Sequence, residues 1–69
     1  MAILSMLEYF KTILQKVSFD QYLFEKELIK ATQLLIPQEL EELKGWSYEM
    51  FGNVYSGILN KHLSNDAVL

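Results

Sequence analysis

Apolar residues between positions 19 and 36 recur with the spacing of an α-helix that is apolar on more than one side. One set is spaced by four, three and four residues, which aligns its members along a single seam of a helix. The seam consists of Phe24, Leu28, Ala31 and Leu35. A helix that is apolar nearly all round is usually a buried one. We therefore predict that a helix over about 20–36 is the central element of the fold.

Two further sets of apolar residues lie outside that seam. Tyr22, Ile29 and Ile36 are seven residues apart and form a column on a second side of the helix, and Leu23 and Leu34 form a partial third column. We interpret these five residues as a surface for a second molecule, either another copy of the chain or a partner helix. The alternative is that the flanking helices cover both columns and complete the core of a monomer.

Three other helices are predicted along the chain, and the last residues are expected to fray. The helices cover about 3–17, 37–51 and 54–63, and the frayed tail covers 64–69. Pro37 suits the first position of a helix, while Gly52 and Asn53 together are typical of a stop followed by a new cap. For the central helix, Ser18 with Gln21 matches a capping box, and Asp20 is a competing N-cap.

The predicted fold is a single all-α domain over residues 1–69, a small bundle of three helices plus a shorter fourth, associating as a homo-oligomer. A chain of 69 residues buries little more apolar surface than it needs to offset the entropy of ordering. Because the sequence has no cysteine and one histidine, disulfides and a single-chain structural zinc site are excluded. Self-association is then the remaining means of stabilisation.

The charge balance disfavours nucleic acid and membrane partners. The formal net charge is −3, with nine acidic residues, six lysines and no arginine. A chain that lacks arginine, the residue best suited to phosphates, and that is acidic overall is a poor match for DNA, RNA or anionic lipids. No apolar run reaches the ~18 residues of a membrane span, and the apolar N-terminus lacks the basic leading region of a signal peptide. We expect a cytoplasmic protein.

Four residues are candidates for a partner or ligand contact, each with a simpler interpretation. His62 is the only imidazole and follows an apolar stripe, so it is either a pH-sensitive group or a partly buried histidine with one hydrogen-bond partner. Trp46, Tyr48 and Tyr55 lie close together along the chain, where core packing competes with a binding role. No serine, carboxylate or Glu-x-x-His spacing marks a catalytic or metal site, so we predict no enzyme, no cofactor and no metal.

The leading functional hypothesis is a non-catalytic protein–protein interaction or assembly module that acts through apolar helix faces, as a homodimer. The first alternative is an acidic inhibitor that imitates a nucleic acid and blocks a basic protein. It requires carboxylates concentrated on one exposed side of the assembly. Four glutamates, Glu39, Glu41, Glu42 and Glu49, could instead form a metal or acid/base cluster, but we predict that they form a solvated helix face. The second alternative is a binder of a small apolar ligand near Trp46, Tyr55 and His62.

Overall fold

The computed structural model describes residues 5–63, and it contains three helices. They are α1 (Met6–Lys16), α2 (Gln21–Leu34) and α3 (Pro37–Leu63), and each helix is in contact with the other two. No strand occurs within residues 5–63. The predicted all-α class is therefore confirmed. The expected fraying of 64–69 and the start of the first helix at Ile3 lie outside the described residues.

Helix α1 begins where the Ser5 hydroxyl caps it. The Ser5 Oγ accepts a hydrogen bond from the backbone N–H of Glu8 at 3.1 Å, which satisfies one of the free donors of the first turn. The helix then buries one stripe, made by Leu7, Phe10 and Leu14. The amphipathic helix predicted over this segment is present.

Helix α2 is capped by Asp20. The Asp20 carboxylate accepts hydrogen bonds from the backbone N–H groups of Tyr22 at 2.9 Å and Leu23 at 3.2 Å. The Ser18 hydroxyl instead donates to the carbonyl of Gln15, in the last turn of α1. Of the two predicted caps, Asp20 is the one used, because Ser18 is engaged with the preceding helix.

The predicted seam of α2 forms the centre of the core. Phe24, Leu28 and Ala31 are fully buried, and Leu35 is 7 % exposed. The Phe24 ring packs against Phe51 and Tyr55 of α3, with ring centroids 5.0 and 4.4 Å away. These aromatic contacts join the central helix to the longest one.

Helix α2 ends at Leu34, two residues earlier than predicted. Leu35 is already extended (φ −85°, ψ 143°), and Ile36 directly precedes Pro37, whose ring disfavours helical geometry in that residue. Ile36 therefore does not continue the predicted seven-residue column. Only Tyr22 and Ile29 remain as helical members of it.

The prediction of a helix stop at Gly52–Asn53 and of a separate fourth helix is wrong. Helix α3 continues through both residues, and Gly52 does not adopt the left-handed conformation that would end a helix. The backbone leaves helical values three residues later, at Tyr55 (φ −119°, ψ 30°). The residues predicted as a fourth helix form the part of α3 that follows this bend.

The bend at Tyr55 divides α3 into two arms, a first arm over 37–54 and a second arm over 56–63, and brings them closer together than a straight helix would. The Tyr48 hydroxyl donates a hydrogen bond to the Asn60 side-chain carbonyl, although a straight helix would separate these positions by ~18 Å. The buried residues of α3 recur at every fourth position: Leu43, Ser47, Phe51, Tyr55, Leu59 and Leu63. Steps of four residues drift by ~40° each on a straight helix, so these six would spread over about 200°. The bend allows both arms of α3 to face one core.

Candidate interaction surface

Within residues 5–63, the three most exposed large apolar side chains lie on the turn between α1 and α2, in the first turn of α2 and next to the bend of α3. Phe19 is 80 % exposed, Tyr22 is 76 % exposed and Val54 is 70 % exposed. The Tyr55 hydroxyl donates to the Ser18 carbonyl at 2.5 Å, which fastens the turn between α1 and α2 to the bend of α3. We call the surface made by Phe19, Tyr22 and Val54 the turn-end surface.

A small cleft adjoins the turn-end surface. It has a volume of about 150 Å³ and is lined by Gln21, Val54, Tyr55, Gly57 and Ile58. Gly57 leaves the space beside it open, since an added Cβ would meet no atom within 4 Å. All five residues that line the cleft are uncharged.

The five predicted interface residues on and after α2 do not form one patch. Ile29 is 37 % exposed, Leu34 59 % and Ile36 57 %. At 100° per residue, Tyr22 and Ile29 point away from the core seam, whereas Leu34 points to a different side. Leu23 is half-buried. We call Tyr22, Ile29, Leu34 and Ile36 together the α2 surface.

His62 is paired with a glutamate of α2. Its Nε2 lies 2.7 Å from an Oε of Glu25, and the Lys61 ammonium lies 3.6 Å from the same carboxylate. The hydrogen bond from His62, with a smaller contribution from the charge of Lys61, lowers the pKa of Glu25. The arrangement matches the interpretation of His62 as a partly buried histidine with one partner. The sequence could not indicate this partner, because 37 residues separate the two.

A larger cleft, of about 340 Å³, lies between the end of α2 and both arms of α3. Leu35, Leu40 and Leu63 provide apolar wall, and Lys44 and His62 provide polar groups. Trp46 and Tyr55 do not line this cleft. The hypothesis of a small apolar ligand near Trp46, Tyr55 and His62 stays a prediction, with only His62 beside this cavity.

The aromatic candidates on α3 are separated from one another. Trp46 is half-buried, with its ring edge-on to Phe51 at 5.6 Å and the Lys11 ammonium 5.9 Å from its centroid. The Tyr48 hydroxyl is engaged with Asn60, and Tyr55 is buried at the bend. Trp46 therefore packs against α1, Tyr48 links the two sides of the bend, and Tyr55 belongs to the core.

The first arm of α3 carries a series of carboxylates on its outer side. Glu41, Glu42 and Glu49 are exposed, and Glu39 is half-buried. Within residues 5–63, none of these four forms an ion pair. Nor does this part of the chain hold a group of three histidine, cysteine or acidic side chains that is placed to bind a metal.

Two residues of the turn-end surface, Phe19 and Val54, were not predicted as site residues. A signal for Phe19 was present, since a phenylalanine between a turn serine and an N-cap aspartate has no helix face on which to be buried. Val54 had no such signal, because its position depends on the bend at Tyr55.

No known protein family, curated protein or solved structure matches this chain. None of the helices within the described part of the chain is long and apolar enough to cross a membrane.

Proposed function

We propose that this chain is a non-catalytic helical interaction and assembly module that forms a homodimer through the α2 surface, in the cytoplasm. The observation that supports this proposal is the contrast between the buried seam of the central helix and the exposed apolar side chains on its other sides and just after its end. Its inner seam is buried, while Tyr22, Leu34 and Ile36 each keep more than half of their side-chain surface in contact with solvent.

The driving force for association would be burial of these side chains. Removing apolar surface from water is favourable by about 25 cal/mol per Å², and tyrosine is among the residues that contribute most at interfaces. A core built from 69 residues gives only a marginal free energy of folding, so a second copy would add stability that the single chain lacks.

The test is the molar mass of the protein and of Ile29→Glu, measured by light scattering after size exclusion over a range of concentrations. We expect the wild type to have twice the 8.1 kDa chain mass and Ile29→Glu to be a monomer with similar helicity. Ile29 is partly exposed, so the new carboxylate can reach solvent in the monomer but would be desolvated in the dimer.

Gln38→Glu is the matched control for this variant. It adds the same charge at an exposed position in the first turn of α3, where a carboxylate interacts favourably with the helix dipole. This control should remain a dimer. An Ile29→Glu protein that keeps the wild-type mass would contradict the assignment of the α2 surface.

A second function, the acidic imitation of a nucleic acid, is favoured by the carboxylates of the first arm of α3. Glu41, Glu42 and Glu49 are exposed within three turns, and they form no ion pair among residues 5–63. A basic protein could approach this side and release the salt ions around it, so its binding would weaken as salt is added.

Binding to immobilised polylysine at increasing salt concentration tests this second function. The variant to compare is Glu41→Gln/Glu42→Gln/Glu49→Gln, and the control is Glu8→Gln/Glu25→Gln/Glu27→Gln, which removes the same charge from α1 and α2. Binding lost in the first protein but retained in the control supports the acidic surface. If both triple variants lose binding to the same extent, only the net charge of the protein matters, and this result would contradict a specific role for the acidic surface of α3.

A further inference from the structure

We propose that two copies of this chain meet at the turn-end surface, and that the Phe19 ring of each copy enters the small cleft of the other. This inference rests on the proposed self-association and specifies where it occurs. It extends the α2 surface toward the turn through Tyr22, which belongs to both surfaces.

The turn-end surface is complementary to itself. A symmetric dimer interface needs a patch in which one part fits another part of the same patch, because residue i then contacts residue j twice. Here a ring that is 80 % exposed lies beside a cleft of about 150 Å³. The volume of this open cleft is similar to that of an enclosed cavity that binds benzene, so the cleft has room for part of a phenyl ring. One two-fold axis therefore allows both rings to be buried.

The structure also holds this ring in an exposed position. The residue before Phe19, Ser18, uses its hydroxyl on Gln15 and its carbonyl on Tyr55, while the residue after it, Asp20, caps α2. Because both neighbours are hydrogen-bonded, the backbone that carries the exposed Phe19 ring is fixed before any partner arrives. Such preorganisation lowers the entropy lost on binding.

Charge favours the turn end over the outer side of α3 as a contact between two copies. Gln21, Gly57 and Ile58 are uncharged, and the Asp20 carboxylate accepts two backbone hydrogen bonds. The outer side of the first arm of α3, with its exposed glutamates, would instead repel the same side of another copy. Two copies of a chain with net charge −3 that meet at the turn end do not bring these glutamates together.

The experiment compares the dimer dissociation constants of Phe19→Ser and Gly57→Leu with that of the wild type, by analytical ultracentrifugation. Phe19→Ser removes the ring, and Gly57→Leu fills the cleft from inside. Both should fold, since Phe19 is exposed and a Cβ at Gly57 meets nothing within 4 Å; circular dichroism checks this. We expect each change to raise the dissociation constant by about 30-fold or more.

Met6→Ser, which removes an exposed side chain at the far end of α1, is the control and should leave the dissociation constant unchanged. If Ile29→Glu dissociates the dimer but both turn-end variants do not, the turn-end contact is wrong and the proposed homodimer stands. If Phe19→Ser raises the dissociation constant and Gly57→Leu does not, the proposed insertion of the ring into the cleft is wrong. A wild-type monomer at all concentrations overturns both proposals.

Discussion

Ser47 is a polar residue placed where the structure offers it nothing to bind. It is fully buried among apolar side chains, and within residues 5–63 its hydroxyl has no hydrogen-bond partner. Burying a hydroxyl without a partner costs about 1–3 kcal/mol. Among residues 5–63, the packing therefore leaves this hydroxyl unpaired.

We expect Ser47→Ala to raise the free energy of unfolding by about 1 kcal/mol, because it removes the unpaired hydroxyl and little volume. Urea denaturation measures this change. Ser56→Ala is the matched control: Ser56 is exposed on the same helix, so it reports only the gain in helix propensity, roughly 0.5 kcal/mol. A loss of stability in Ser47→Ala would show that the hydroxyl has a partner.

Glu25 connects α2 to the end of α3, and its contribution to stability should depend on pH. The pKa of Glu25 is lowered from 4.5 in the folded chain, chiefly by the hydrogen bond from His62. A carboxylate with a lowered pKa stabilises the fold above its unfolded value, and that contribution disappears as the pH falls through the folded value. The relevant window therefore lies below pH 4.5.

In Glu25→Gln, we expect lower stability than in the wild type at pH 5, and a difference that shrinks as the pH falls from 4.5. Chemical denaturation at a series of acidic pH values measures it. Repeating the comparison in a His62→Ala background provides the control, because the main cause of the lowered pKa is then absent. A difference that stays constant through the acid range, with His62 present, would contradict the pairing.

At the scale of the helices, the sequence pattern predicted which segments are helical better than it predicted where each helix begins and ends. The seam from Phe24 to Leu35 and the stripe of α1 followed from periodicity, because burial selects apolar side chains at fixed angles. The bend of α3 did not follow from local signals. Gly52 and Asn53 resemble a helix stop, yet the chain turns at Tyr55, where the ring contacts Phe24 and the hydroxyl reaches Ser18. Both contacts join residues that are far apart in the sequence, so local sequence pattern does not predict them.

Gly52→Ala distinguishes a continuous helix from a helix stop. In a continuous helix, alanine replaces glycine with a gain of about 1 kcal/mol, or roughly 4–8 °C in Tm for a domain of this size. The new Cβ would lie 3.9 Å from the Tyr48 ring, an ordinary contact. A left-handed Gly52 would instead make alanine unfavourable by ~1–2 kcal/mol.

Thermal denaturation of Gly52→Ala, followed by circular dichroism, measures this effect. Gly45→Ala is the reference variant, since Gly45 lies inside the first arm of α3 with open space around its Cβ position. We expect the two variants to stabilise the protein to a similar degree. Stabilisation by Gly45→Ala together with destabilisation by Gly52→Ala would restore the helix stop that the sequence indicated.

On the scale of the whole molecule, the sequence indicated that apolar residues exceed what one small core can cover, but not where the excess lies. Tyr22, Leu34 and Ile36 were found from periodicity, whereas Phe19 and Val54 share one end only because the Tyr55 hydroxyl meets the Ser18 carbonyl. Local sequence pattern also gives no indication of long-range pairs such as His62 and Glu25. Long-range geometry depends on how helices cross, and crossing angles do not follow from periodicity alone.

If folding is coupled to association, the thermal stability of the molecule depends on its concentration. A dimer that unfolds to two free chains gains about 1.4 kcal/mol of stability for each tenfold rise in concentration. For two chains of 69 residues, at an unfolding entropy of ~2.1 cal/mol/K per residue, this corresponds to about 5 °C in Tm per tenfold. Calorimetry over a hundredfold concentration range should therefore show a rise of about 10 °C in the wild type. Ile29→Glu should show almost no change, because a monomer unfolds with the same midpoint at every concentration. A wild-type Tm that does not move would mean that folding is not coupled to association and that the single chain stabilises its own fold.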